Sequence, residues 1–182
     1  MKLTAELTRS TAGYNVLLVE GILIADIDFK FEKNEPDKLG EIIAIAKEHQ
    51  LSFRIYRTFN GLRPICVSHF FRAAAGASQR IMSDLCCDED YIQMCVKGNI
   101  FSCRVTPKPS RIGVVRPFNF NFYDMLPYEQ NNWIEDYNNK SGGHKACEFI
   151  LQTSECEIPK QIQNFIKLHD EKSGCGLDLP LA

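Results

Sequence analysis

A chain of 182 residues, 45% hydrophobic and 24% charged, has the size and composition of one globular domain, 1–182. Its net charge of −2 and pI of about 6.1 argue against a constitutive nucleic-acid coat protein, whose footprint is strongly basic. The most apolar run, NVLLVEGILIADIDF, is broken by Glu20, Gly21 and Asp26, far short of the ~20 residues of a membrane span, so no membrane partner is expected.

The opening MKLTAELTRSTAGYN lacks the apolar stretch of a signal peptide. Residues 15–29 then read as one or two strands with a turn or bulge at Glu20-Gly21. DKLGEIIAIAKEHQ reads as a helix with Asp37 as N-cap and Leu39, Ile42, Ile43 and Ala46 as its apolar stripe. LSFRIYRTF and LRPICVSHFF read as a hairpin across Asn60-Gly61. Ser78 to Lys97 is helical in two pieces, broken near CCDED, and NIFSCRVT is a strand.

The order β-α-β-β-α-β over residues 20–106 predicts an α+β fold. It is a ferredoxin-like, RRM-like palm, an antiparallel sheet with helices on one face and the other face open. The core would span about 15–107, with 108–182 as a C-terminal elaboration. There PKPSRIGVVRPFNFNFYD reads as an extended connector. WIEDYNNKSGGHKACEFILQ reads as two strands around Ser141-Gly142-Gly143, and PKQIQNFIKLHDEK as a helix with Pro159 in its first turn. SGCGLDLPLA is a tail.

Charge is unevenly placed. Residues 51–118 hold ten Lys and Arg against four Asp and Glu, between acidic flanks. Eight of the ten are Arg, the better bidentate partner for phosphate or carboxylate. Two readings stay open: an anion-binding surface, or internal pairing with the flanks. The eight Cys sit mostly in apolar runs such as PICV and IQMCV, as buried free thiols do in a reducing cytosol, so a cytoplasmic protein is expected. There is no C-x-x-C, and the adjacent sulfurs of LCCDED are unlike a zinc knuckle, so no zinc is expected. No Cys-His-Asp triad is legible.

With Asn60-Gly61 as a two-residue turn, Thr58 faces Arg63, Tyr56 faces Ile65, Arg54 faces Val67 and Ser52 faces His69. Alternation then sets Arg54, Tyr56, Thr58, Arg63 and His69 on the open face. Asp26 and Asp28 lie about 7 Å apart along their strand, and Arg104 points the same way. An Asp-x-Asp at a strand end suits Mg²⁺ or Mn²⁺, which take carboxylate and phosphate oxygens together. The alternative is a pair of surface acids bridged to Arg. Arg54, Arg63, Arg104 and His69 are candidate phosphate ligands, and all five charged strand residues should fall within about 15 Å. KSGGHK offers an anion nest or a plain turn. Lys108, Arg111 and Arg116 sit on a loop that could follow a nucleic-acid backbone.

Two resemblances bear on function. Through YRTFNGLRPICVSHFF, DEDYIQMCVKGNIFSCRVTPKPSR and LHDEKSGCGLDLPLA the chain resembles a group of uncharacterised bacterial proteins of similar size. Over 20–106 it resembles the catalytic core of archaeo-eukaryotic-type primases and primase-polymerases. ADIDF is similar to their metal-binding Asp-x-Asp, and YRTFNGLR to their Tyr-Arg-Thr-x-x-Gly-x-His hairpin motif, with Arg63 near the position of the His. That resemblance implies Asp26 and Asp28 as metal ligands, Arg63 on a nucleotide phosphate, and a third carboxylate such as Asp124 or Asp136. The expectation is a primase-like palm that binds nucleotide or nucleic-acid phosphates, with a divalent metal. The alternatives are a non-catalytic interaction module with an Arg-rich face and a metal-dependent phosphohydrolase.

Overall fold

The computed structural model describes residues 4–29, 31–116 and 121–182. In chain order these form β1 (Ala5–Arg9), β2 (Asn15–Val19), β3 (Ile27–Asp28), α1 (Phe31–Glu48), β4 (Phe53–Thr58) and β5 (Gly61–Cys66). There follow α2 (Gly76–Asp84), α3 (Glu89–Gly98), β6 (Phe101–Arg104), α4 (Pro127–Ser141), β7 (Cys147–Gln152) and α5 (Lys160–Ser173). Short 3-10 turns lie at Pro109–Arg111 and Phe122–Asp124. The architecture is mixed α+β with antiparallel pairing, and among the described residues no helix is long and apolar enough to cross a membrane.

The strands make two sheets, ordered β1-β2-β6 and β3-β5-β4-β7. Residues 15–28 belong to both. The upstream part, β2, lies between β1 and β6. The downstream part runs along β5 through an Ile24–Ile65 bridge and the Ile27–Leu62 pair. Between them Gly21 has φ of 91°, a left-handed conformation that a Cβ would penalise, and it turns the chain from one sheet into the other. β6 therefore pairs with β2, from Val16–Arg104 to Val19–Phe101, and not with β3. Across the seam between the sheets the Tyr91 hydroxyl reaches the carbonyls of Ile24 (3.1 Å) and Ser102 (2.8 Å).

The hairpin has a different register from the one expected. Tyr56 pairs with Arg63 and Arg54 with Ile65, so the loop is Phe59-Asn60 and Gly61 is already in the strand. Gly61 is there for a close approach: a Cβ would stand 1.8 Å from Ile27 O of β3. The shift is two residues, so side-chain parity survives it. Pro64 has no N–H to give the ladder, yet it sits in it opposite Ile55 with its carbonyl accepting from Ala25 N at 3.0 Å, and the alternation is unbroken there.

Two helices differ from the reading. α1 begins upstream of Asp37 and runs through Pro36, so Asp37 is inside the helix and not its cap. α2 and α3 break as expected, at Cys86 (φ 56°), with Asp88 capping α3 by accepting from Tyr91 N. The expected strand at WIEDYNN is α4. Pro127 opens it, Glu129 accepts from Leu126 N at 2.9 Å, and Trp133 stacks on Tyr137 one turn later at 4.9 Å, a helical spacing read as a strand. β1 was not expected at all. Residues 117–120 of the expected connector lie outside the described residues.

The main core joins Leu17, Leu23, Ile27, Phe53, Ile55 and Phe101 to Cys147, Phe165 and Ile166 of the C-terminal part. A second, smaller cluster holds Ile112, Val114, Tyr137 and Ala182, with Tyr14 and Trp133 against it. The Arg9 guanidinium sits over the Phe122, Trp133 and Tyr137 rings at 5.4, 6.0 and 5.6 Å.

Candidate functional site

The seam is hollow. A cleft of about 340 Å³ opens there, with Asp26 and Arg63 from one sheet facing Ser102 and Arg104 from the other. Tyr91 lines it too, and Lys108, just before the Pro109–Arg111 turn, closes one side. The cleft exists because β6 is drawn to β2, while Tyr91 spans the space left beside Ile24.

Arg63 is 2% exposed. Its Nη1 donates to Arg104 O at 2.8 Å, and its Nε is buried with no hydrogen-bond partner among the described residues. Burial works against its charge, while Cys103 and the Asp26 carboxylate support it. Arg104 donates through Nη1 to Thr106 O (3.2 Å) and Ala182 O (3.3 Å). Burial, then Arg63 and Arg111, push it down to about 10, so it stays charged at neutral pH. The same causes, burial first and then Arg104 and Arg111, lower Lys108. Arg111 lies 4.1 Å over the Phe59 ring at the hairpin tip, close enough to Asp28 and Asp26 to feel both, and its Nη1 is also buried with no partner among the described residues. A third such atom, Ser10 Oγ, belongs to the cleft wall.

Four cations thus crowd two carboxylates. The Asp28 carboxyl is pushed up by partial burial and by Asp26, and held down by Lys108 and Arg111. Asp88 is near but caps α3. Among the described residues no three His, Cys, Asp or Glu side chains converge as a ligand set. Two carboxylates fit only a hard cation that brings water and phosphate oxygens as its other ligands. The cation excess itself fits a multiply charged anion.

Of the expected ligands, Asp26, Arg63 and Arg104 line this cleft and Asp28 stands near it. The others do not. Tyr56 (0% exposed) and Thr58 (3%) are buried, which corrects their reading as open-face residues. α5 covers that part of the sheet: the His169 ring packs edge-on to Tyr56 at 4.7 Å. Arg54 donates to Tyr56 Oη (2.9 Å) and Asp170 Oδ2 (3.4 Å), and lies 4.1 Å over Phe149. Arg57 bridges Glu35 and Glu148. His69 lies past the end of β5, exposed, its Nδ1 2.9 Å from Ser68 Oγ beside a different groove. Asp136 pairs with Lys140, and the KSGGHK glycines end α4. Two of the hairpin arginines are therefore paired internally, and the flank-pairing alternative holds for them.

Two features escaped the sequence. Tyr91 gave no signal beyond a helical position. Cys147, His169 and Asp170 do form a chain, with Cys147 Sγ 3.9 Å from His169 Nε2 and His169 Nδ1 2.9 Å from Asp170 Oδ1. The adjacent His-Asp on α5 was its one visible trace.

The chain matches no family model, no curated protein and no solved structure.

Proposed function

We propose that this is a ferredoxin-like, primase-like palm protein that binds a nucleotide or nucleic-acid phosphate in the seam cleft, with a divalent cation at Asp26 and Asp28. The observation that carries the reading is the buried guanidinium of Arg63, which borders the cleft with an unpartnered Nε beside Arg104 and Lys108. An unsatisfied buried donor on a charged group costs about 1–3 kcal/mol or more, and a phosphate oxygen would satisfy it. The palm reading is supported by the β3-β5-β4 pairing, the order in which the first, third and second strands of such a core lie. The pairing of β6 with β2 is its departure from that pattern.

The test is calorimetric titration with nucleoside triphosphates, with and without Mn²⁺, on wild type, Lys108→Ala and Asp26→Asn/Asp28→Asn. Binding that weakens about tenfold in Lys108→Ala, and loses its Mn²⁺ dependence in the double variant, is expected. Wild-type protein that binds neither triphosphate nor single-stranded oligonucleotide sinks the reading. Product analysis then separates nucleotidyl transfer from phosphohydrolysis.

A further inference from the structure

The seam cleft is not uniform along its length. β2 and β6 form one wall, and their pairing sets the order of the residues that line it: Arg104 lies opposite Val16, and Ser102 opposite Leu18. Directly paired residues share a face, and the two pairs stand about 7 Å apart along the strands. The other sheet keeps the same order. Asp26 and Arg63 lie between the Ile24–Ile65 bridge and the Ile27–Leu62 pair, at the Arg104 level, where Arg63 Nη1 donates to Arg104 O. Ile24 lies at the Ser102 level, where the Tyr91 hydroxyl reaches both carbonyls.

Past Arg104 the chain runs to Thr106, whose Oγ1 accepts from Asn15 N at 2.8 Å, and on to Lys108 in the cleft wall. The β1–β2 turn brings Ser10 to this end. Its N donates to Tyr14 O at 2.8 Å, and its Oγ is buried with no hydrogen-bond partner among the described residues. The lining cations Arg63, Arg104 and Lys108 therefore stand at this end and in the middle. The far end is made by Leu18, Ser102, Tyr91 and Met94, and none of these is charged. Met94 follows Tyr91 by one turn of α3, so the two share a helix face. It is 52% exposed and belongs to neither core cluster.

This polarity distinguishes two ligands that carry the same phosphate chemistry. A nucleic-acid strand bears one charge per nucleotide along its whole length and needs cations spread along its track. A free nucleoside triphosphate gathers its charges at one end of a flat, uncharged body. The cleft volume of about 340 Å³ lies near the lower limit of small-molecule sites, roughly 300–1,000 Å³, and suits one nucleotide. We infer, resting on the phosphate-binding reading above, that the cleft takes a single free nucleoside triphosphate, with its phosphates at Arg63, Arg104, Lys108 and Ser10 and its base between Met94 and Leu18. Met94 suits that place because an unbranched, polarizable thioether packs favourably on an aromatic ring. It is a positioning residue for the base and takes no part in chemistry at the phosphates.

Calorimetric titrations at constant Mn²⁺ compare ATP, inorganic tripolyphosphate and a single-stranded oligothymidylate. Wild type should bind ATP about tenfold more tightly than either of the others. Met94→Ala should weaken ATP about fivefold and leave tripolyphosphate unchanged, which also shows that the variant is folded. Equal wild-type affinity for ATP and tripolyphosphate overturns the base site while the phosphate reading stands. So does a Met94→Ala effect that is absent, or equal on both ligands in folded protein. An oligothymidylate that binds more tightly than ATP overturns the free nucleotide in favour of a strand. Binding of none of the three overturns this inference and the phosphate reading together. Should Met94→Ala fail to fold, the three wild-type affinities decide.

Discussion

The Arg54 guanidinium donates to Asp170 Oδ2 at 3.4 Å and so ties the hairpin to α5. An arginine that alternation turned toward an open face belongs instead to the support of a buried His-Asp pair. Arg54→Ala should therefore leave triphosphate affinity within twofold of wild type. Stability should fall by about 1 kcal/mol, since a partly exposed ion pair and two cation–π contacts contribute little each. Calorimetry and urea denaturation read the two effects separately.

Arg111 should behave in the opposite way. It stacks on Phe59 and keeps a buried, unpartnered Nη1 near Asp28. Arg111→Lys keeps the charge but not the planar fork, so affinity for a triphosphate should fall in the order wild type, Arg111→Lys, Arg111→Ala. Equal affinity in wild type and Arg111→Lys would remove the fork from the argument.

Gly61→Ala tests the approach of β3 to β5. The added methyl meets Ile27 O at 1.8 Å, and backbone cannot swing aside as a side chain does. A loss of about 1–3 kcal/mol or more is expected from the urea midpoint. A turn glycine with a left-handed conformation is not the cause, because Gly61 lies within β5.

Tyr91→Phe keeps the ring and removes the hydroxyl that reaches Ile24 O and Ser102 O. Stability should drop by about 1–2 kcal/mol. Amide exchange should accelerate first in β6 and β3, on the two sides of the seam, while β4 stays protected.

His169 gives the chain a pH dependence. The groups facing it are Asp170, Arg63, Cys175 and Cys147. Burial lowers its folded-state value beneath 6.5, against Asp170 and with Arg63. The unfolded chain therefore takes up a proton at a higher pH than the folded one. Stability from the neutral ring is complete above about 6.5 and declines as the pH falls through that value toward the lower folded one. Urea midpoints at pH 7.5 and 5.5 should differ in wild type and converge in His169→Gln.

The sequence disclosed what depends on local pattern. The strand alternation in FRIYRT and GLRPIC put Arg63 and Tyr56 on one side, and a two-residue slip in register left this intact because the pleat has period two. The break at CCDED and the corner at Glu20-Gly21 were legible from composition. What faces each surface was not. Nothing in Tyr56 or Thr58 says that α5, over a hundred residues later, lies over that side of the sheet. The pairing of β6 with β2, which opens the cleft, is decided between distant strands. So is the meeting of Cys147 with His169. WIEDYNN failed for a simpler reason: Trp133 and Tyr137, one helical turn apart, also suit a strand by composition.

The single tryptophan of the chain is Trp133, and it sits against the smaller cluster, stacked on Tyr137 with its Nε1 donating to Val115 O at 2.8 Å. Its emission is therefore a gauge of that satellite and not of the two described sheets. A melt followed by fluorescence reports when Tyr137 and Arg9 let go of the indole, and a melt followed by far-ultraviolet dichroism reports the sheets. Where the two curves coincide the satellite and the main core unfold as one unit, and where they separate the interval between them measures how far the small cluster leads.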